Sequence, residues 1–129
     1  MKKYSFEKLD VWQKSRLLAK LIYKLTNNFP TSEKFGLVSQ LQRASISVCS
    51  NIAEGTSRIS FKEQARFIEM SYGSLIEVLN QLVLSRDLNF ISNDEETELR
   101  ILIDEIGNKL NKLRINQLYK HQQLNNINN

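Results

Sequence analysis

The run from Phe61 to Leu82 constrains the fold more than any other feature of this sequence. Phe61, Ala65, Ile68, Tyr72, Leu75, Leu79 and Leu82 follow one another in alternating four- and three-residue steps. That rhythm holds an apolar seam on one side of an α-helix, and it is the spacing with which helices pack side by side in left-handed bundles. Other stretches repeat it. Val11, Leu18, Ile22, Leu25 and Phe29 share one face of a first helix, and Leu41, Ala44, Val48 and Ile52 recur at three- and four-residue steps in a second. Leu99, Leu102, Ile103, Ile106, Leu110 and Leu113 form the stripe of a fourth. With four glycines and one proline in 129 residues, little interrupts these helices.

Local signals set the boundaries. The first helix spans about Leu9 to Asn28 and stops before Pro30, while the second is predicted from Thr31 or Ser32 to Gly55, glycine being the usual left-handed C-cap. Ser60 with Glu63, and Ser92 with Glu95, spell Ser-x-x-Glu capping boxes. The first box opens a third helix running to about Leu88; the second opens a fourth, whose Asp94, Glu96 and Glu98 suit the positive end of a helix dipole. Short connections make successive helices antiparallel. The predicted architecture is therefore all-α: a left-handed, antiparallel up-down-up-down four-helix bundle over residues 9–117. An N-terminal arm at 1–8 precedes it, and a frayed Asn/Gln-rich tail at 118–129 follows.

Composition narrows the function classes. A chain with 41% hydrophobic and 25% charged residues is ordinary for one soluble domain. Met1 to Tyr4 is too short and polar for a signal peptide, and no apolar run approaches the roughly 18 to 20 residues of a spanning helix, so a cytoplasmic protein with no membrane partner is expected. The single cysteine, Cys49, allows no internal disulfide and reads as a small buried hydrophobe. A carboxylate-bridged metal pair in a bundle needs Glu-x-x-His on two helices, whereas this chain holds one histidine, His121, in the predicted tail. Neither a glycine-rich phosphate loop nor a Ser/His/Asp or Cys/His set is present. The expectation is a non-enzyme with no catalytic residue, metal or cofactor.

An ordered set of short motifs carries a resemblance. Phe6-x-x-Leu9-x-Val11-Trp12, Phe29-Pro30-x-x-Glu33-x-Phe35-Gly36-Leu37, Gln40-Leu41-x-Arg43-Ala44-x-x-Ser47 and Asn51-Ile52-Ala53-Glu54-Gly55 are followed by Phe67 and Tyr72-Gly73-Ser74-Leu75-x-Glu77. Over about Phe6 to Leu118 the chain resembles the small bacterial four-helix bundle proteins first noticed as products of intervening sequences in large-subunit ribosomal RNA genes. The resemblance implies a non-enzymatic bundle assembled as a homo-pentameric ring. It also implies kinship to accessory proteins of diversity-generating retroelements, which bind nucleic acid and a reverse transcriptase. RNA or DNA, a reverse transcriptase or another protein, and further copies of the chain are the partners it suggests.

The residues themselves offer a basic surface. Residues 1–29 hold seven Lys/Arg against Glu7 and Asp10, a local charge of +5 in a chain of net +4. Arg16, Lys20 and Lys24 lie nearly opposite the Val11/Leu18/Leu25 face, with Trp12 and Tyr23 beside them. Trp12 and Tyr23 read first as core edge or subunit interface, and second as rings for base stacking. Lys109, Lys112 and Lys120 are further candidate phosphate contacts that equally suit a helix C-terminus. In a five-membered ring the net charge would approach about +20, enough for polyvalent phosphate contact. Arg43, Ser47, Asn51 and Glu54 read as inter-helix or inter-subunit bonding, with Asn51 and Glu54 bonding either the turn into the third helix or a neighbouring subunit. Gly73 suggests close approach of another helix; Glu69 and Glu77 stand about 12 Å apart along one helix, too far to form a catalytic carboxylate pair. Two readings follow: an oligomeric nucleic-acid-binding accessory protein, or a protein-protein interaction scaffold with no nucleic-acid role.

Overall fold

The computed structural model describes residues 1–128 and contains four α-helices and no strand among them. They are α1 (Asp10–Thr26), α2 (Leu37–Thr56), α3 (Phe61–Asp87) and α4 (Asn93–Asn128), with 3-10 turns at Ser5–Lys8 and Thr31–Glu33. Each helix packs on the two beside it and none on the one diagonally opposite, which is the cross-section of an antiparallel four-helix bundle. One core runs down the centre. Leu18 and Ile22, Leu41, Val48 and Ile52, Ile68, Leu75, Val78 and Leu82, and Ile106 and Leu110 are sealed from solvent. Sealing a side chain of this kind contributes about 1.5–3 kcal/mol. Half-buried Leu25, Tyr72, Leu79, Leu102 and Leu113 form the shell around them.

The helix starts follow their caps. Ser60 Oγ accepts the Glu63 backbone N–H at 3.1 Å, and the Glu63 carboxylate turns to Arg66, also at 3.1 Å. At α4 the box closes both ways: Ser92 Oγ accepts the Glu95 N–H at 3.1 Å, and Glu95 Oε1 accepts the Ser92 N–H at 2.9 Å. Glu96, in the first turn of α4, is buried between Arg86 of α3 and Arg100 of its own helix, tying the two helices at that end. α2 begins later than Thr31 or Ser32. After Pro30 the backbone is taken up by tight turns, with Glu33 N–H on Pro30 O at 2.9 Å and Gly36 N–H on Glu33 O at 3.0 Å, so α-helical bonding starts only at Leu37.

Three glycine and tail expectations are corrected. Gly55 does not cap α2 in a left-handed conformation; it lies inside the last turn, buried, and no described glycine has positive φ. A Cβ there would stand 3.1 Å from Phe67 Cβ and 3.6 Å from Gln64 O, so its smallness lets α3 approach α2. The left-handed residue is Asn89, with φ 64°. Asn89 N–H bonds Arg86 O and Phe90 N–H bonds Ser85 O, both at 2.9 Å, a Schellman closure of α3. Gly73 meets no helix: an added Cβ would find nothing within 4 Å. Buried Gly107 faces α3 at ordinary van der Waals distance, its added Cβ standing 3.5 Å from Tyr72 and Leu75, so the one tight approach among the described glycines that involves another helix is at Gly55. The frayed tail at 118–129 is instead helical to Asn128, because α4 continues unbroken; Asn129 lies outside the described residues.

The two glycines predict opposite outcomes. Gly73→Ala should raise unfolding free energy by about 0.5–1 kcal/mol, since helix propensity improves and no clash is created. Gly55→Val should lower it by about 1–3 kcal/mol through overpacking against Phe67. Urea unfolding followed by circular dichroism measures both.

Candidate nucleic-acid interface

α1 turns Val11, Ser15, Leu18 and Ile22 inward, and the same periodicity leaves Arg16, Lys20 and Lys24 in solvent. None of the three forms an ion pair among the described residues. Arg16 stacks its guanidinium over Trp12 at 5.6 Å from the ring centroid, and Phe6 meets the same ring edge-on at 5.0 Å. Trp12 is thus half-buried and engaged on its own chain, while Tyr23 is 42% exposed. Lys24 borders a cleft of about 280 Å³ between α1 and α4 that Leu21, Leu25 and Leu99 line together with Glu95 and Glu98.

The α4 lysines divide. Lys109 Nζ lies 2.7 Å from Asp10 and 3.9 Å from Glu105, so it clamps α4 to the start of α1. The hydrogen bond holds the Asp10 carboxyl below its ordinary value and the Lys109 ammonium above its own. Lys112 and Lys120 are exposed and outside any ion pair among the described residues; Lys120 lies over the Phe61 ring at 5.5 Å.

On the polar face of α2, Arg43 reaches another helix, whereas Asn51 and Glu54 do not. Arg43 donates to Glu77 of α3 at 2.9 Å, joining two helices. Asn51 donates to Ser47 O of its own helix at 2.9 Å and not to the following turn, and exposed Glu54 receives Ser57 Oγ only on its backbone carbonyl. Cys49 is half-buried, and burial pushes its thiol up to about 11, which keeps it protonated near neutral pH. Among the described residues no group of three or more His, Cys, Asp or Glu could hold a metal ion, and no helix is long and apolar enough to cross a membrane.

Antiparallel packing assembles a second basic surface that segment-by-segment charge counting misses. α1 and α3 begin at the same end of the bundle at which α2 and α4 finish. This gathers Lys2, Lys3 and Lys8 of the N-terminal arm, Arg58 of the α2–α3 turn, Lys62 at the start of α3, and Lys112 and Lys120 of α4. All are exposed and none forms an ion pair among the described residues. Glu7, Glu54 and Glu63 share that end, and the opposite end carries Glu33, Asp87, Asp94, Glu95 and Glu98 beside Lys24 and Lys34, so cations are in excess at one end and carboxylates at the other.

The profile of the 23S rRNA-intervening sequence protein family matches residues 7–112. The chain belongs to that family. Among solved structures it is similar to a protein of unknown function from the S23 ribosomal protein family of Bacteroides thetaiotaomicron. That likeness has a TM-score of 0.73 at 21% identity, covers 81% of this chain and 97% of the other, and supports the fold. No curated protein matches the chain. Family and structural neighbour indicate no catalytic class.

Removing the clamp should show in titration. In the native protein the Asp10 carboxyl should titrate below the ordinary aspartate value by carboxyl NMR, and Lys109→Met should raise it toward that value. Because the folded value lies below the unfolded one, the Asp10–Lys109 contribution to stability is complete above the unfolded value and fades as pH falls through the folded one. Both side chains are largely solvated, so added salt should shrink the difference.

Proposed function

We propose that this protein is a non-enzymatic, cytoplasmic nucleic-acid-binding accessory protein that works as an oligomer and grips the phosphate backbone with unpaired surface cations. The observation that carries the reading is the set Arg16, Lys20 and Lys24: three exposed cations on successive turns of α1, with no carboxylate within ion-pair distance among the described residues. Lys109 leaves the candidate set, since Asp10 and Glu105 already neutralise it. Lys112 and Lys120 remain in it, as members of the basic pole. A solvated phosphate contact releases condensed counterions, so each cation adds affinity that salt removes.

Self-association would repeat these patches around an assembly and multiply their effect. The five-membered ring is the assembly the resemblance suggests. The open face at Gly73, flanked by Met70 and Ile76 at 37% and 44% exposure, is consistent with a surface that another protein chain covers. The same face favours the second reading, a scaffold that engages proteins alone.

Electrophoretic shift with structured RNA and duplex DNA across a salt series separates the two. The nucleic-acid reading expects log affinity to fall linearly with log salt. It also expects the Arg16→Gln/Lys20→Gln/Lys24→Gln variant to bind about 10-fold or more weakly, with a duplex salt slope shallower by up to about 3 and unchanged helicity. Absence of any shift at low salt would leave the scaffold reading. Light scattering should find a multi-subunit particle; a monomer would remove the multiplication of charge.

A further inference from the structure

Arg58 sits in the turn between α2 and α3, and its backbone is held on both sides: its N–H donates to Gly55 O at 3.2 Å, and its carbonyl accepts Gln64 Nε2 at 2.9 Å. Its guanidinium lies over the Phe67 ring, 4.3 Å from the centroid, and Arg66 approaches the same ring at 5.1 Å. Phe67 has little room to move. It is 5% exposed, and its Cβ stands 3.1 Å from where a Cβ on Gly55 would be, so the close approach of α3 to α2 fixes the ring on which both arginines rest. A guanidinium over an aromatic ring is held through its π face and keeps its in-plane N–H groups for hydrogen bonds.

The cations gathered there are unequally spent. Arg58 is exposed, with no carboxylate within ion-pair distance among the described residues. Arg66 already shares its Nε with Glu63 at 3.1 Å. Lys62, exposed and unpaired among the described residues, stands one turn before Arg66 on α3, a like-charge spacing that helices disfavour. Three cations against one paired carboxylate leave a local excess of positive charge, with a positioned donor fork at its centre. Such a fork matches an anion that offers two oxygens side by side, as phosphate and carboxylate both do. A nucleic-acid strand suits the site better than a lone carboxylate, because it delivers several charges in a row to Arg58, Lys62 and Arg66 together.

We propose that Arg58, seated on Phe67, is a phosphate-binding anchor of the basic pole: its fork takes one backbone phosphodiester of a nucleic acid, and Lys62 and Arg66 meet the neighbouring phosphates. The proposal rests on the nucleic-acid reading above and adds to the stripe on α1 a contact that depends on shape as well as charge. The test is fluorescence anisotropy of the full chain with a dye-labelled RNA hairpin and a dye-labelled DNA duplex at matched salt. Arg58→Gln should weaken binding about 5-fold or more and make the salt slope shallower by about 1. Arg58→Lys should keep the slope, since the charge stays, yet recover less than about half of the lost log affinity, since lysine has no fork. Because Arg58 is exposed, both variants should keep native helicity. Full recovery by Arg58→Lys, or native affinity in Arg58→Gln, would overturn the proposal while sparing nucleic-acid binding itself. Displacement of the probe by poly-glutamate as readily as by unlabelled nucleic acid of equal charge would reveal a carboxylate site and overturn it too. Failure of the native chain to bind either probe at low salt would overturn both the proposal and the reading beneath it.

Discussion

Leu18 and Ile22, Leu41 and Val48, Leu75 and Val78, Ile106 and Leu110 can lose contact with water together only if four seams converge on one axis. Every other feature of the molecule inherits its position from that convergence. It decides which face of α1 is left for Arg16, Lys20 and Lys24, and it brings the starts of α1 and α3 to the ends of α2 and α4. The basic pole is therefore a by-product of core formation: charges distant in sequence become neighbours because their helices share an apolar interior.

Electrostatic pairing then sorts the cations left outside. Arg43, Arg86, Arg100, Lys109 and Arg114 lie within reach of carboxylates on neighbouring turns or helices and are absorbed into the framework. Those pairs are largely solvated, Glu96 excepted, and each contributes modestly to stability. They matter more for what they remove from the surface potential than for what they add to the fold. What they leave, on α1 and at the pole, has no carboxylate partner among the described residues, although Arg16, Arg58 and Lys120 lie over aromatic rings of the chain itself.

The seams and the Ser-x-x-Glu caps were legible in the sequence because each depends on residues within a few turns of one another. Spacing at three and four steps places side chains on one face whatever the partner helix is, and a capping box is closed by residues three apart. Gly55, Gly73 and Gly107 were not legible, because a glycine's reason for being small lies in what stands opposite it, and the opposing residues come from other helices. Asn89 escaped notice for a related reason: asparagine took the left-handed position that a glycine signal would have announced. The polar composition after Gln117 suggested fraying, yet α4 propagates through it from a bundle-anchored start, and propagation is far cheaper than nucleation. Of the candidate site, Arg16, Lys20 and Lys24 could be placed from a helical wheel; the pole and the pairing of Lys109 with Asp10 required knowing which helix ends meet.

The order of contacts carries a consequence for how the chain assembles. α2 with α3, and α3 with α4, make the most extensive helix pairings, and both join elements adjacent in sequence. α1 touches α4 across nearly the whole length of the chain and through a smaller contact. Local pairings form at low entropic cost, whereas this closure draws distant segments together. α1 pairs with its sequence neighbour α2 less extensively than α2 pairs with α3, so its two helix interfaces are the smallest of the four, and the Lys109–Asp10 contact spans the one that closes the chain. The helix bearing the exposed basic stripe is thus the least extensively held, and the first that partial opening would release.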